Sequence, residues 1–277
     1  MNNLFISKIR TLKNIDRQET AGLLSMDITN YINLENGNRP VSNATATKLS
    51  EAFHCSRDWF LRAPVIVSAS DIIYYLKSLY AKDASIFTIK YTKNGPVLIF
   101  NDLDFLDLWK EKKVALAEKK ITEQEYYDWF FSYPGTGRET NNRLSKLKIL
   151  RKQKEISNPG FANKITDCLE KSFTYYQMIE DGTKQPTALD LKRISRAFDR
   201  TPEFLSDNFT FESKADIELF LMTVDVLYEK IAVSYEKSIL FQIPQVNLFL
   251  ENLALLNEKY QSGKISKSQY ETEWQAL

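Results

Sequence analysis

The residues with the clearest chemical use lie in one short stretch, Asp27 to Pro40, which reads DITNYINLENGNRP. Asp27 is a helix-capping type, and Tyr31 and Leu34 fall together on one helical face. Ile28, Thr29, Asn30, Ile32 and Asn33 are left partly or wholly exposed. An exposed mix of amides, a hydroxyl and apolar groups suits the edges of base pairs in a major groove. Asn33 can hold adenine through two hydrogen bonds, and Thr29 can touch a thymine methyl or donate to a base. Glu35-Asn36-Gly37 ends the helix, and a polar turn leads to Arg39-Pro40. An ordinary core helix with a polar outer face would show a similar pattern.

Other chemistry is thin. There is one histidine, His54, placed as a surface or cap residue, and the two cysteines, Cys55 and Cys168, read as small core residues of a reducing compartment. One His and two distant Cys do not supply the usual ligands of a metal site. No Gly-rich phosphate loop is present, and Ser/His/Asp catalysis would depend on that single His. No cofactor and no enzymatic activity are expected. Charged residues make up 26% and the net charge is +1, so no global basicity advertises nucleic acid and any DNA site must be a local patch. MNNLFISKIR runs straight into an amphipathic pattern without a signal peptide. No apolar run approaches the ~20 residues a spanning helix needs. A cytoplasmic protein is expected. Its many Lys, Asn, Ile and Tyr residues point to an AT-rich bacterial or phage genome.

The elements that must position the stretch are five short helices between Met1 and about Pro64. Leu4, Phe5, Ile9 and Leu12 form one apolar stripe, and Asp16 with Glu19 makes a capping box for a helix carrying Ala21 and Leu24. Ser25-Met26-Asp27 allows a tight turn. Ser42 opens a helix with Ala46, Leu49 and Phe53, and Ser56 caps a last turn with Trp59, Phe60 and Leu61.

These residues resemble the helix-turn-helix domain of the XRE family, the type of lambdoid phage repressors and Cro proteins. The resemblance rests on Arg10, Gln18-Glu19-Thr20-Ala21, Leu34-Glu35-Asn36-Gly37, Arg39-Pro40 and Asp58-Trp59-Phe60-Leu61, and it covers about a quarter of the chain. The pattern departs at Ser25, where the family usually has glycine. The resemblance implies that the Asp27–Glu35 helix enters the major groove, with Ile28, Thr29, Asn30 and Asn33 as base readers. It implies phosphate contacts from Arg17, Gln18, Asn36, Asn38 and Arg39, and a structural ion pair between Arg10 and Glu35.

From Val65 to Tyr133 the character changes to a helix (Ile72, Ile73, Leu76, Leu79), a hairpin turning at Lys93-Asn94-Gly95, a long helix and a short helix capped at Thr122. Pro134-Gly135-Thr136-Gly137 reads as a linker. The pattern then recurs: Glu180 lies 145 positions after Glu35, and Ile265 lies 144 after Ile121. Two landmarks with nearly one offset predict a tandem duplication with about seven extra residues near Ser157–Gly160. The expected fold class is mainly α with small β-hairpins. Its units are a helix-turn-helix domain (1–64), an accessory domain (65–133), a linker (134–141), a second helix-turn-helix domain (142–209) and a second accessory domain (210–277).

In the second copy the reading face is more apolar. Phe173, Thr174, Tyr175, Gln177, Met178 and Lys184 are its candidate contacts, to DNA or to a partner protein. Lys148 is expected to replace Arg10 as the partner of Glu180. The two helix-turn-helix segments carry +2 (1–66) and +4 (140–209), and the accessory segments −1 and −4. Basic charge thus gathers where phosphate contact needs it. The resemblance implies a sequence-specific, double-stranded-DNA-binding transcriptional repressor of phage or mobile-element genes, acting as a homodimer on operator DNA. Release is expected through a protein partner such as a phage-encoded antirepressor. The one Ala-Gly pair, Ala21-Gly22, lies inside the first unit, so self-cleavage in a linker is not expected. The alternative is an antitoxin-like interaction protein that regulates its own promoter.

Overall fold

Five short helices open the chain: α1 (Asn3–Leu12), α2 (Arg17–Leu23), α3 (Ile28–Glu35), α4 (Asn43–Phe53) and α5 (Asp58–Leu61). They come from a computed structural model that describes residues 3–101, 103–133, 146–181, 183–206, 209, 211, 213–234 and 237–277. The expected linker, 134–141, lies outside the described residues. Side-chain caps set the helix starts: Asp16 accepts from the Glu19 amide at 2.7 Å, Asp27 from the Thr29 amide at 2.8 Å and Ser42 from the Thr45 amide at 3.1 Å. For α2 only the Asp16 half of the expected capping box is seen. The helices close over a core of Phe5, Ile9, Leu24, Tyr31, Leu34, Leu49, Phe53 and Trp59. Trp59 is fully buried, and its indole N–H donates to the Tyr133 carbonyl at 2.6 Å.

Next come α6 (Ala69–Lys82), β1 (Phe87–Thr92), β2 (Gly95–Phe100), α7 (Phe105–Ala117) and α8 (Glu123–Ser132). From Lys146 the same order of elements recurs. Helices α9 (Lys146–Ser157), α10 (Phe161–Leu169), α11 (Phe173–Glu180), α12 (Ala188–Phe198) and α13 (Pro202–Ser206) match the opening five. Helix α14 (Lys214–Tyr228), β3 (Ile231–Ser234), β4 (Ser238–Phe241), α15 (Pro244–Gln261) and α16 (Lys267–Ala276) match the rest. Caps recur with the elements. Asp27 answers to Ser172 and Ser42 to Thr187, and the capping boxes Ser68/Asp71 and Thr122/Glu125 answer to Ser213/Asp216 and Ser266/Gln269.

The hairpins, separate in the sequence reading, join into one antiparallel sheet of order β1-β2-β4-β3, with Leu98 opposite Ile239. A two-stranded hairpin alone is marginal and leaves an unpaired edge; pairing β2 with β4 removes one such edge from each. The helices interlock in the same sense. Helix α15 packs on α6 and β2, while α7 packs on β3. Lys113 of α7 bonds the Ile231 carbonyl at 2.9 Å and Asp225 of α14 at 3.0 Å.

Each five-helix unit leans on the other half. Arg62 of the first pairs with Asp216, and Arg200 of the second stands 3.7 Å from Asp71. Lys146 is buried, donating to the Tyr75 hydroxyl at 2.9 Å and the Phe204 carbonyl at 3.0 Å, with the Phe204 ring 4.2 Å away. A buried ammonium needs such partners to stay charged. Among the described residues no helix is long and apolar enough to cross a membrane.

Candidate nucleic-acid interface

The turn from α2 into α3 depends on Ser25, whose φ is +50°. A non-glycine residue there carries roughly 1–2 kcal/mol of strain, the local cost of placing α3 across α2. Asp27 caps α3. Tyr31, Leu34 and Glu35 turn into the core, Thr29 and Asn30 are exposed, and Ile28, Ile32 and Asn33 are half-buried. The expected readers Ile28, Thr29, Asn30 and Asn33 thus all keep some exposure on α3. Helix α3 ends at Asn36, and Gly37 takes φ +82°, a left-handed position that suits glycine.

The hub beneath this helix is Glu35. Its carboxylate accepts from Arg10 Nε at 2.8 Å, Arg17 Nε at 2.5 Å and the Tyr31 hydroxyl at 3.3 Å, with 1% of the side chain exposed. Arg10 also donates to the Ile15 carbonyl at 2.9 Å. Burial alone would raise the Glu35 carboxyl, but the hydrogen bonds and charge of the two arginines hold it below its ordinary value. Burial, then the charge of Glu35, pushes the Tyr31 phenol up to about 12. The Arg10–Glu35 pair expected from the sequence is thus a triad with Arg17. Arg17, expected as a phosphate contact only, gives its Nε to Glu35 while half of its side chain stays exposed. The guanidinium can face solvent and still be held in place.

Gln18, Asn36, Asn38 and Arg39 are all exposed around the same face. Asn38 Nδ2 donates to Asn33 Oδ1 at 3.3 Å, and the Arg39 amide donates to the Asn33 carbonyl at 3.2 Å. The exit turn therefore holds the Asn33 side chain from its oxygen side.

The second unit keeps the frame and changes the face. Glu170 takes the left-handed conformation that Ser25 has in the first, with φ +55°, and Arg193 pins it at 2.5 Å. Glu180 is again the buried hub, but its partner is Arg151, at 2.8 Å through both Nε and Nη2. The expected Lys148 bonds Asp181 instead, at 3.3 Å. Leu147 and Leu150 point α9 into the core, and this registry turns Arg151 onto Glu180. Arg151 lies 141 positions after Arg10, against 145 between the glutamates, so the second arginine–glutamate spacing is four residues longer than the first, where about seven are expected.

On α11, Thr174, Gln177 and Met178 are exposed. Phe173 is half-buried, stacked with Tyr176 and under the Arg151 guanidinium. Tyr175 is half-buried and tied to α12. Its hydroxyl donates to Asp190 at 3.1 Å, and Lys184 Nζ lies 4.4 Å from its ring centroid. Lys184 and Tyr175 thus cover each other. One lysine outside the expected set, Lys171, is exposed next to the Ser172 cap of α11, with its Nζ 5.8 Å from the Tyr175 ring centroid. Its signal is positional, since it sits in the turn between α10 and α11.

A helix capped at Asp27, laid over α2 by a strained turn and stiffened from below by a buried carboxylate, presents a polar face with cations and amides on its flanks. Residues 6–60 match the helix-turn-helix family model. A match of this kind supports the XRE type and points to a DNA-binding transcription regulator, a regulatory rather than an enzymatic domain. No curated protein and no solved structure matches the chain. Among the described residues no group of three or more His, Cys, Asp or Glu could hold a metal ion.

Proposed function

We propose that this chain is a sequence-specific repressor of phage or mobile-element genes that carries two DNA-reading heads in one polypeptide. In this reading the halves arose by duplication, and the interlocked accessory segments do within one chain what a dimer interface does between two. The observation that carries it is the mirrored pairing around the joined sheet. Strand β2 meets β4, α15 crosses to α6 and Arg62 crosses to Asp216, so each head is fixed by both halves. The heads read unlike half-sites. Asn33, Asn30 and Thr29 with Ile28 read the first, and Thr174, Gln177 and Met178 offer a hydroxyl, an amide and an apolar tip to the second. Two such chains could still pair on a longer operator, as a homodimer with four heads.

Release through a protein partner fits the charge distribution, since the accessory segments carry −1 and −4. Ala21-Gly22 lies within α2, with Ala21 fully buried, so that pair is held in a helix rather than in a linker. Selection of binding sites from random DNA by the full chain tests the proposal. A gapped site with two dissimilar halves is expected; recovery of one short contiguous motif contradicts the two-headed reading.

A second reading is favoured by one observation: Met178 and Leu189 are exposed on the second head. There that head holds a protein, as an antitoxin-like module would, and only the first touches DNA. Thr174→Ala and Gln177→Ala that leave the selected motif unchanged would favour it.

A further inference from the structure

Between α1, α7, α8 and α14 lies a cavity of about 340 Å³, outside both reading faces. One wall is aromatic, made by Tyr126, Tyr127 and Phe130. Leu12, Ala117 and Asp225 line it as well. The mirrored half explains why the space exists. Aligning the capping boxes Ser68/Asp71 and Ser213/Asp216 puts Asp225 where Tyr80 stands. Aligning Thr122 with Ser266 puts Phe130 where Trp274 stands and Tyr126 where Tyr270 stands. The contact made at this place recurs in both halves. Tyr80 donates its hydroxyl to Asn257 of α15 at 3.2 Å, and Asp225 accepts from Lys113 of α7 at 3.0 Å. At the equivalent place beside α15 and α16 the Tyr80 ring of α6 packs on Trp274 at 5.1 Å. Beside α7 and α8 the short carboxylate of Asp225 from α14 stands at the position of that ring, and the space there is open.

The charges at the site cancel. Lys113 is held by Asp225, and Lys8 lies 3.4 Å from Glu229, so an occupant needs no net charge. Asp225 is nearly buried; Lys113 bonds both its oxygens, at 3.0 and 2.8 Å, and the Ile231 amide donates to it, so of a carboxylate's roughly four lone-pair sites one is left for a further donor. We propose that this cavity binds a small, planar, neutral aromatic molecule of phenol-to-indole size. Its ring lies against Tyr126, Tyr127 and Phe130, and its N–H or O–H donates to the Asp225 carboxylate. Such a ligand touches α1 of the first head and α14 of the other half together, so it would brace the joint between them.

The test uses the full chain and indole as the probe, with 1-methylindole, which has the ring but no donor, as its control. Calorimetric titration is expected to show one site for indole, with 1-methylindole about tenfold weaker, the loss of one hydrogen bond to a charged group. Ala117→Phe, at the rim of the cavity, should abolish binding without lowering the unfolding midpoint. If that variant is unstable, Leu12→Trp repeats the blockade from α1. No heat from indole up to millimolar concentration overturns the site. Equal binding of 1-methylindole, or indole binding unaffected by both blocking variants, overturns the assignment of Asp225 or of the cavity.

Discussion

Glu35→Ala gives the sharpest view of what holds the first reading helix. The wild-type carboxylate is 1% exposed, and the Arg10 side chain facing it is 15% exposed. Removing one partner of a buried pair costs about 3–5 kcal/mol, because the other charge is left without a counter-charge. Arg10 keeps its bond to the Ile15 carbonyl and some contact with water, which places this case near the lower figure, about 3 kcal/mol. Arg17→Ala removes a half-exposed partner of the same carboxylate and should cost under about 1 kcal/mol. Replacing Arg10 and Glu35 together by Met and Leu should recover most of the loss, since neither charge then remains buried. Amide hydrogen exchange on the intact chain reads this locally. Exchange in α1 to α4 should quicken about a hundredfold for Glu35→Ala, and exchange in α10 to α12 should be unchanged. The sign with pH follows from the lowered carboxyl. Its contribution is complete above the ordinary carboxylate value near 4.5 and is lost as pH falls through the lower folded value. Equal, small effects of Glu35→Ala and Arg17→Ala would refute the buried hub.

Other consequences follow from single residues. Asn33→Ala should cost roughly 1–3 kcal/mol of specific affinity, while Arg39→Ala should weaken all sequences alike and lower the salt slope by about 1, measured by binding titrations at several salt concentrations. Ser25→Gly should raise the stability of the first head by about 1 kcal/mol in chemical denaturation, because glycine takes positive φ without strain; no gain would mean that Ser25 is not strained. Burial pushes the Glu218 carboxyl up to about 7. A raised carboxyl binds its proton more tightly when folded, so stability should fall as pH rises from about 4.5 to 7. Glu218→Gln should flatten that slope in thermal unfolding.

Local chemistry was legible in the sequence. Asp27, Ser42, Thr122 and Ser266 each mark a helix start with a side chain that reaches its own backbone, and Tyr31 and Leu34 mark the buried face of α3 at helical spacing. The Arg10–Glu35 pair was legible from the family pattern. What spans distance was not. The pairing of Leu98 with Ile239 joins residues 141 positions apart, and alternation within a hairpin carries no sign of its neighbour. Spacing points to Lys148 as the partner of Glu180 because helical period sets the phase of α9 but not the length of chain between α9 and α10. Spacing alone makes Arg17 a phosphate ligand because its tie to Glu35 depends on α2 and α3 crossing, which one-dimensional spacing does not encode.

The proposed reading of two half-sites by one chain is tested most directly by footprinting of monomeric protein, held at a concentration where sedimentation finds a single species. Two protected half-sites of unequal strength on one operator are expected, with Asn33→Ala weakening one and Thr174→Ala the other. Protection of a single half-site by the monomer would contradict it.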